Sequence, residues 1–307
     1  MSEIILHHYP ESPISEMTRL MLGFKKLPWR SVVTPMIMPK PDLVSLTGGY
    51  RKAPVMQIGA DIYCDSLRIA MELERRYPEP TLFPKGGEGL GYGLLFWSNR
   101  PLFLAAVGVA FAVIGDRLPE AFLEDRAKFS GRPMDLERLK KAAPMNLDQL
   151  RAHTEFLDRQ LADGRAFVLG EAPGLADFEP YLSLWFVARG AREAMAGLNE
   201  SFPHIAAWMK RVKEIGHGAV EPMEPEEAIA IAKAAEPATK EAVDAGDPRG
   251  LKPGDTVAVT PDDSGRDPVA GVLVASGPHE IAIRREDARV GAVVVHFPRA
   301  GFVVMAS

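Results

Sequence analysis

Four short stretches carry residue types that could do chemistry at the end of a helix or strand. Ser12 precedes Pro13, and behind it Ile14, Met17, Leu20, Met21 and Phe24 recur with helical spacing. Pro13 suits the first helical position and Ser12 the N-cap, so a hydroxyl stands where unpaired N–H groups and the helix dipole favour negative charge. Asp65-Ser66 repeats the arrangement ahead of Leu67, Ala70, Met71 and Leu73. Tyr9 closes a strand-like run that begins at Glu3. Pro54 opens the run Val55-Met56-Gln57-Ile58. A proline there removes a ladder donor, so it belongs at a strand start or edge and is a candidate cis bond. If cis, it is expected to leave the Val55 N–H and C=O free at a cleft. The plainer reading of Ser12, Asp65 and Ser66 is helix capping alone, which is what such residues usually do.

Positioning these groups requires a compact α/β unit. Glu3–Tyr9 reads as a strand, Ser12 onward as a helix, Trp29–Val33 as a second strand and Lys40–Leu46 as a short helix. Val55–Ile58 and Ile62–Cys64 form a hairpin around Gly59-Ala60-Asp61, and a helix runs from Asp65-Ser66 to the stop at Tyr77-Pro78. The order is β-α-β-α-β-β-α, with the first helix able to cross over between parallel strands.

Residues 78–88 are rich in Pro and Gly and read as a linker. Helical periodicity then continues to about Gly218. The stretch 219–250 holds Pro222, Pro225 and Pro237 and one alanine-rich helix over Glu226–Ala235. Five short strands follow in the last 55 or so residues, a spacing that suggests a small SH3-like barrel. A unit of that size has a thin core and is expected to lean on the helical region. Arg284, Arg285 and Arg289 read as a solvated face. The expected segments are therefore 1–80, 88–218, 219–250 and 251–307.

The chain has 307 residues, 47% hydrophobic and 25% charged, with a net charge of −5. That balance argues against nucleic acid and anionic membrane as partners. One cysteine, Cys64, excludes an internal disulfide and a Cys-based zinc cluster, and points to a reducing cytoplasm. Ile4-Ile5-Leu6 is too short for the core of a secretory signal. Leu102–Ile114 is too short to span a bilayer and reads as a buried helix. His7 and His8 sit on a strand and face opposite ways, so they cannot share a metal ion, and no other metal-binding pattern is visible.

The succession of X-Pro-Val, hairpin, Asp-Ser and helix resembles the thioredoxin-like domain of cytosolic glutathione S-transferases. The segment Ser12-Pro13-Ile14-Ser15-Glu16-Met17-Thr18-Arg19 is similar to the motif of omega- and zeta-class enzymes, with Ser in the place of the nucleophile-side residue. The resemblance covers residues 1 to about 218. It implies a thioredoxin-like domain followed by an all-helical domain, and glutathione as co-substrate. Pro54 and Val55 would meet the cysteinyl backbone, Asp65 the ammonium and Ser66 the carboxylate of the γ-glutamyl end. Ser12 would donate to the thiolate, with Tyr9 the rival for that role and Ser15 third. It further implies a homodimer and a small hydrophobic electrophile lying between the sulfur and the helix at 102–114. The helical domain of that family begins a core helix with Ser/Thr-x-x-Asp; here Gly174 replaces the hydroxyl residue and Asp177 remains, a structural group rather than a catalytic one. Trp185, Phe186, Phe202 and Trp208 read as core.

The leading function is thus activation of the glutathione thiol for attack on a small electrophile. The alternatives are a glutathione-dependent isomerase on the same fold, or a non-catalytic glutathione- or ligand-binding scaffold whose terminal β segment recruits a partner. Every contact expected for glutathione lies before residue 67, so the terminal segment is expected to be dispensable for binding it.

Overall fold

The computed structural model describes residues 3–306. Strand β1 (Ile4–His8) leads into α1 (Pro13–Phe24), then β2 (Trp29–Val33), α2 (Pro41–Thr47), β3 (Val55–Ile58), β4 (Asp61–Cys64) and α3 (Ser66–Arg76). β1 pairs parallel with β2 and antiparallel with β3, and β3 pairs antiparallel with β4. This is the thioredoxin-like unit expected from the residue pattern. α1 and α3 bury Met17, Leu20, Met21, Leu67, Ala70 and Leu73 in one core with the helical domain.

That domain comprises α4 (Glu88–Trp97), α5 (Phe103–Ile114), α6 (Glu120–Ser130), α7 (Leu136–Leu161), α8 (Leu175–Gly190), α9 (Arg192–Ser201) and α10 (Pro203–Glu214). α4 and α5 are one long helix joined through a π turn at Ser98–Leu102, with Pro101 inside it. Glu88–Arg117 is therefore long and apolar enough to cross a membrane by length and composition, which corrects the short helix expected at 102–114. Its Leu95, Leu102, Ala106 and Ala110 face is buried in the bundle. Trp208 is fully buried. Asp177 accepts from the Val168 N–H at 2.8 Å, the Gly174 N–H at 3.1 Å and the Trp208 indole at 2.8 Å. Gly174 stands in place of a hydroxyl residue for a steric reason: a Cβ there would lie 2.5 Å from the Leu82 carbonyl oxygen.

The stretch after α10 does more than link. β5 (Val220–Pro222) adds a parallel strand to the β2 edge, and α11 (Pro225–Ala234) packs Ala228 against Ile5 and Val32, and Ile229 and Ala232 onto the α2 face of the sheet. After β6 (Ala242–Val243) come β7 (Thr256–Pro261), β8 (Val269–Ser276), β9 (Glu280–Asp287), β10 (Gly291–Pro298) and β11 (Phe302–Ala306). These five pair antiparallel in the order β11-β7-β8-β9-β10, and β10 then pairs parallel with β4, Val295 opposite Ile62. One sheet of 11 strands results.

The thin core foreseen for the terminal strands is solved by sharing. Val257, Val259, Ile283, Val293, Val295 and Phe297 form a single cluster with Leu43, Leu46, Tyr50, Val55 and Ile62. Each such side chain contributes roughly 1.5–3 kcal/mol when fully buried. The segment leans on both neighbours, because Arg100 also pairs with Asp262 at 2.6 Å and the Gly265 N–H donates to the Phe129 carbonyl at 2.8 Å. The three arginines of β9 and its turn do not make one patch: Arg284 is exposed, Arg285 lies against Gly48 at the end of α2, and Arg289 pairs with Asp42.

A buried ionic seam closes the β4–β10 junction. His296 stacks on Tyr63 with ring centroids 4.4 Å apart, and its Nε2 lies 3.1 Å from both Asp61 and Thr239. Its Nδ1 is 3.4 Å from Glu280, which Arg68 of α3 also meets at 3.1 Å. Burial pushes the His296 pKa down, but Asp61 and Glu280 outweigh burial and leave it above 6.5. Because the folded value is raised, this stabilisation is full below 6.5 and fades as pH rises through the folded value. Wild type should therefore lose stability on going from pH 6.5 into the mildly alkaline range. His296→Gln should flatten that part of a melting-temperature profile; an unchanged slope would place the titration elsewhere.

Candidate functional site

Ser12 is buried at the head of α1, and its Oγ accepts the Ser15 N–H at 3.1 Å. The cap uses a lone pair and leaves the hydroxyl proton to donate elsewhere. The Tyr9 phenol lies beside it. Burial raises the Tyr9 pKa, while the Arg126 charge and the Ser12 hydroxyl oppose the rise. The two rivals for one role are thus neighbours.

What fixes this loop is Arg19, a residue whose role the sequence left open. Its Nε and Nη2 meet Glu16 at 3.1 and 2.7 Å, its Nη1 meets His8 Nδ1 at 3.0 Å and the Tyr9 carbonyl at 3.3 Å, and its Nη2 also meets the Pro10 carbonyl at 3.2 Å. All five guanidinium protons are spent on the β1–α1 turn. Since Arg19 can only donate, His8 Nδ1 accepts and His8 Nε2 carries the proton given to Ser31 Oγ at 2.8 Å. Burial first and Arg19 second hold the His8 pKa down to about 4, so the ring is neutral at pH 7. His7 turns the other way, to Gln57 at 2.8 Å.

The Ala53–Pro54 bond is cis. The expectation that Val55 offers a free backbone is corrected by the register: Val55 lies between His7 on β1 and Cys64 on β4. A strand residue directs both its N–H and C=O to one neighbour, and here both neighbours are present. Ala53 is the half-buried residue just before that paired strand, and among the described residues no hydrogen bond is made to its N–H or C=O. A one-residue parity argument on the strand would have been needed to find it.

Asp65 caps α3, accepting the Leu67 N–H at 2.9 Å, and its φ of 76° is in the left-handed region that side chains rarely adopt. Burial raises its pKa; Lys52 is the largest charge opposing, and Asp263 and Asp262 add to the rise. Ser66 is buried at the first position of α3. Lys40 donates to the Arg51 carbonyl, two residues ahead of Ala53, at 3.1 Å and lies 5.5 Å above the Tyr9 ring. Burial, then Arg126 and Arg51, bring Lys40 down to about 8. Asp125 of α6 ties this cation group together by pairing with Arg51 and Arg126 and accepting the Met38 N–H at 3.0 Å. Lys40, Arg51, Lys52, Asp125 and Arg126 carry no local sequence signal, because they meet only through tertiary packing.

A cavity of about 480 Å³ opens beside the β1–α1 turn, lined among others by Pro10, Trp29, Tyr181, Trp185, Arg189 and Lys213. Its wall is α8, and residues 102–114 take no part in it. Trp185, expected in the core, is half-buried on this wall with Arg189 4.8 Å over its ring. Cys64 is fully buried, and burial drives its thiol pKa well up, so it is inert. Among the described residues no group of His, Cys, Asp and Glu is arranged to hold a metal ion.

Arg19→Met should cost about 3 kcal/mol in urea unfolding, because Glu16 is left buried with only His217 beside it. Glu16→Gln in the same background should return part of that loss; no recovery would mean that packing, not charge, is what Arg19 supplies.

Comparison with known proteins adds three findings. Residues 6–81 match the family model "Glutathione S-transferase, N-terminal domain", and residues 112–221 match a model described as "Domain of unknown function (DUF7962)". The "Glutathione S-transferase-like protein ustS" of Aspergillus flavus is 32% identical over 129 residues, 37% of this chain and 46% of that protein, so the match spans less than half the length of that curated relative. Among solved structures, a GST-like protein from Pseudomonas syringae is 42% identical and superposes over 100% of both chains with a TM-score of 0.81, terminal β segment included. Poplar glutathione transferase F1, at 13% identity, covers 70% of this chain and 97% of its own with a TM-score of 0.55, a likeness of fold alone.

Proposed function

Because the chain belongs to the glutathione S-transferase superfamily, we propose that it binds glutathione across Ala53 and activates the thiol for attack on a small electrophile. The observation that carries this reading is the break in strand pairing at Ala53, which leaves its backbone N–H and C=O without a partner among the described residues. An extended tripeptide can pair its cysteinyl backbone there. Its γ-glutamyl end then reaches Asp65 and Ser66, where a helix N-terminus favours a carboxylate. Its glycyl carboxylate falls toward Arg51 and Arg126, which pair with one acid, and toward Lys40, which donates to the Arg51 carbonyl. The sulfur points to Ser12, whose hydroxyl proton the Ser15 cap does not consume and which stands at the positive end of the helix dipole, so both stabilise the thiolate. Attack forms the sulfur–carbon bond while the electron pair leaves with the acceptor's leaving group or moves into the acceptor itself.

The cavity walled by α8 is the proposed seat of the electrophile, in place of the helix at 102–114. Trp29, Tyr181 and Trp185 suit a flat hydrophobic body, and Arg189 and Lys213, neither of them in an ion pair among the described residues, suit an acidic substituent. A homodimer and a cytoplasmic site of action belong to the same proposal, and sedimentation of the purified chain tests the former.

Ser12→Ala should raise the pKa of the bound thiol and slow conjugation while glutathione affinity changes little, since the peptide is held elsewhere. Losing one donor to an anion at a well-organised site costs on the order of 2.7–4 kcal/mol, and with the helix terminus intact the low end is expected. Thiolate absorbance against pH reads this directly; superimposable curves for the two proteins would pass the role to Tyr9 and make Tyr9→Phe the next variant.

Lys40 supplies a second test. With its pKa near 8 in the free protein, its charge is present below that pH and disappears above it. Glutathione affinity measured by calorimetry should weaken from pH 7 to pH 9, and Lys40→Met should be weaker throughout and lose that dependence. An identical decline in the variant would remove Lys40 from the site.

A further inference from the structure

The β7–β8 loop reaches back to Lys52, ahead of β3, and to the helical domain. Asp263 meets Lys52 Nζ at 2.5 Å, Asp262 meets Arg100 at 2.6 Å, and the Gly265 N–H holds the Phe129 carbonyl. The loop is therefore docked on the thioredoxin-like unit and the helical domain at once. Lys52 is mostly covered while Asp263 is half open to solvent, with side-chain exposures of 15% and 54%. A second tie runs through Tyr50. Its ring sits 5.8 Å from Phe297 and 6.2 Å from Phe302, both in the terminal segment, and Lys52 Nζ lies 5.9 Å from the same ring. Lys52 is thus placed by an acid and an aromatic group, one supplied by the terminal strands and the other packed against them.

Lys52 directly precedes the unpaired Ala53 in the chain, and its charge is the largest that opposes the rise of the Asp65 pKa. A zwitterionic α-amino acid is their complement, carboxylate toward the lysine and ammonium toward the aspartate. One Lys52 proton serves Asp263, and the ammonium has further donors for a ligand.

We infer that the terminal β segment completes the substrate site: Asp263 positions Lys52 beside Asp65, and the pair selects ligands that end in an α-amino acid headgroup. This rests on the glutathione reading above and deepens it at the γ-glutamyl end. It predicts the opposite of the expectation that the terminal segment is dispensable for binding. Asp263 acts through Lys52, and is a positioning residue.

The test is calorimetric titration of the full chain with glutathione and with two analogues, one lacking the α-amino group and one lacking the α-carboxylate of the γ-glutamyl residue. Asp263 is half exposed, so Asp263→Asn should fold as wild type does. It should bind glutathione about tenfold more weakly, the scale of one charge-assisted hydrogen bond. It should bind the analogue without the carboxylate as wild type does, since Lys52 has nothing to hold there. Lys52→Met should show the same pattern more strongly, and the double variant should be no weaker than Lys52→Met alone. Equal or tighter glutathione binding by Asp263→Asn overturns the inference, as does an equal loss for all three ligands. If wild type binds neither glutathione nor either analogue, the glutathione reading itself fails, a result distinct from the first two.

Discussion

Strand edges govern this molecule. A four-stranded thioredoxin-like sheet has two open edges, each a row of unpaired N–H and C=O groups that must be covered or left as a template for other chains. Here the chain covers both itself. β5 closes the β2 edge with three residues, and β10 closes the β4 edge and carries four further strands with it. The pairing also decides which backbone remains available. Val55 is taken from both sides, so free pairing capacity is displaced to Ala53, where no strand lies alongside. The paired Val55 and the unpaired Ala53 are two consequences of one register, at the start of β3 and just ahead of it.

The second constraint is charge under cover. Buried ions are tolerated only when paired and hydrogen-bonded, and this chain places its buried networks where elements meet. Arg19 with Glu16 and His8 joins β1 to α1. Asp125 with Arg51 and Arg126 joins α6 to the loop between α2 and β3. His296 with Asp61 and Glu280 joins β10 to β4. In each case the alternative to the observed geometry is an ion stranded without solvent, so the joints are sharply defined even where apolar packing alone would permit sliding. The turn bearing Ser12 inherits its definition from the first of these networks.

Much of this was legible in the residue pattern because it is written in local periodicities. The β-α-β-α-β-β-α order, the helical middle and the five late strands each follow from spacing and turn residues within a dozen positions. The caps at Ser12 and Asp65 follow from their places ahead of apolar helical runs. What escaped is what depends on distant partners. β5 has three exposed residues and no apolar alternation, and exists because β2 has an edge to offer. Val55 reads as the open residue after Pro54 until the register with His7 is known. Lys52, 211 positions from Asp263, shows no sign in the sequence of the company it keeps. Trp185 and Trp208 look alike as helical aromatics, yet one lines a cavity and the other fills the core, because burial is set by the neighbouring helix rather than by the residue.

The terminal strands raise the question of why a complete helical and thioredoxin-like pair should carry an addition. Its core answers part of it. The cluster joining Phe297, Val257 and Ile283 to Leu43, Tyr50 and Ile62 is continuous, so removing the strands would open the α2 face of the sheet to water and not merely delete a neighbour. An addition that shares a core cannot drift relative to the unit it covers. Any side chain it presents is then held as firmly as one from the older elements, which a flexibly tethered domain could not achieve. Rigid coverage of the face opposite the helical domain is what allows a loop some two hundred residues downstream of Asp65 to act as part of the same surface.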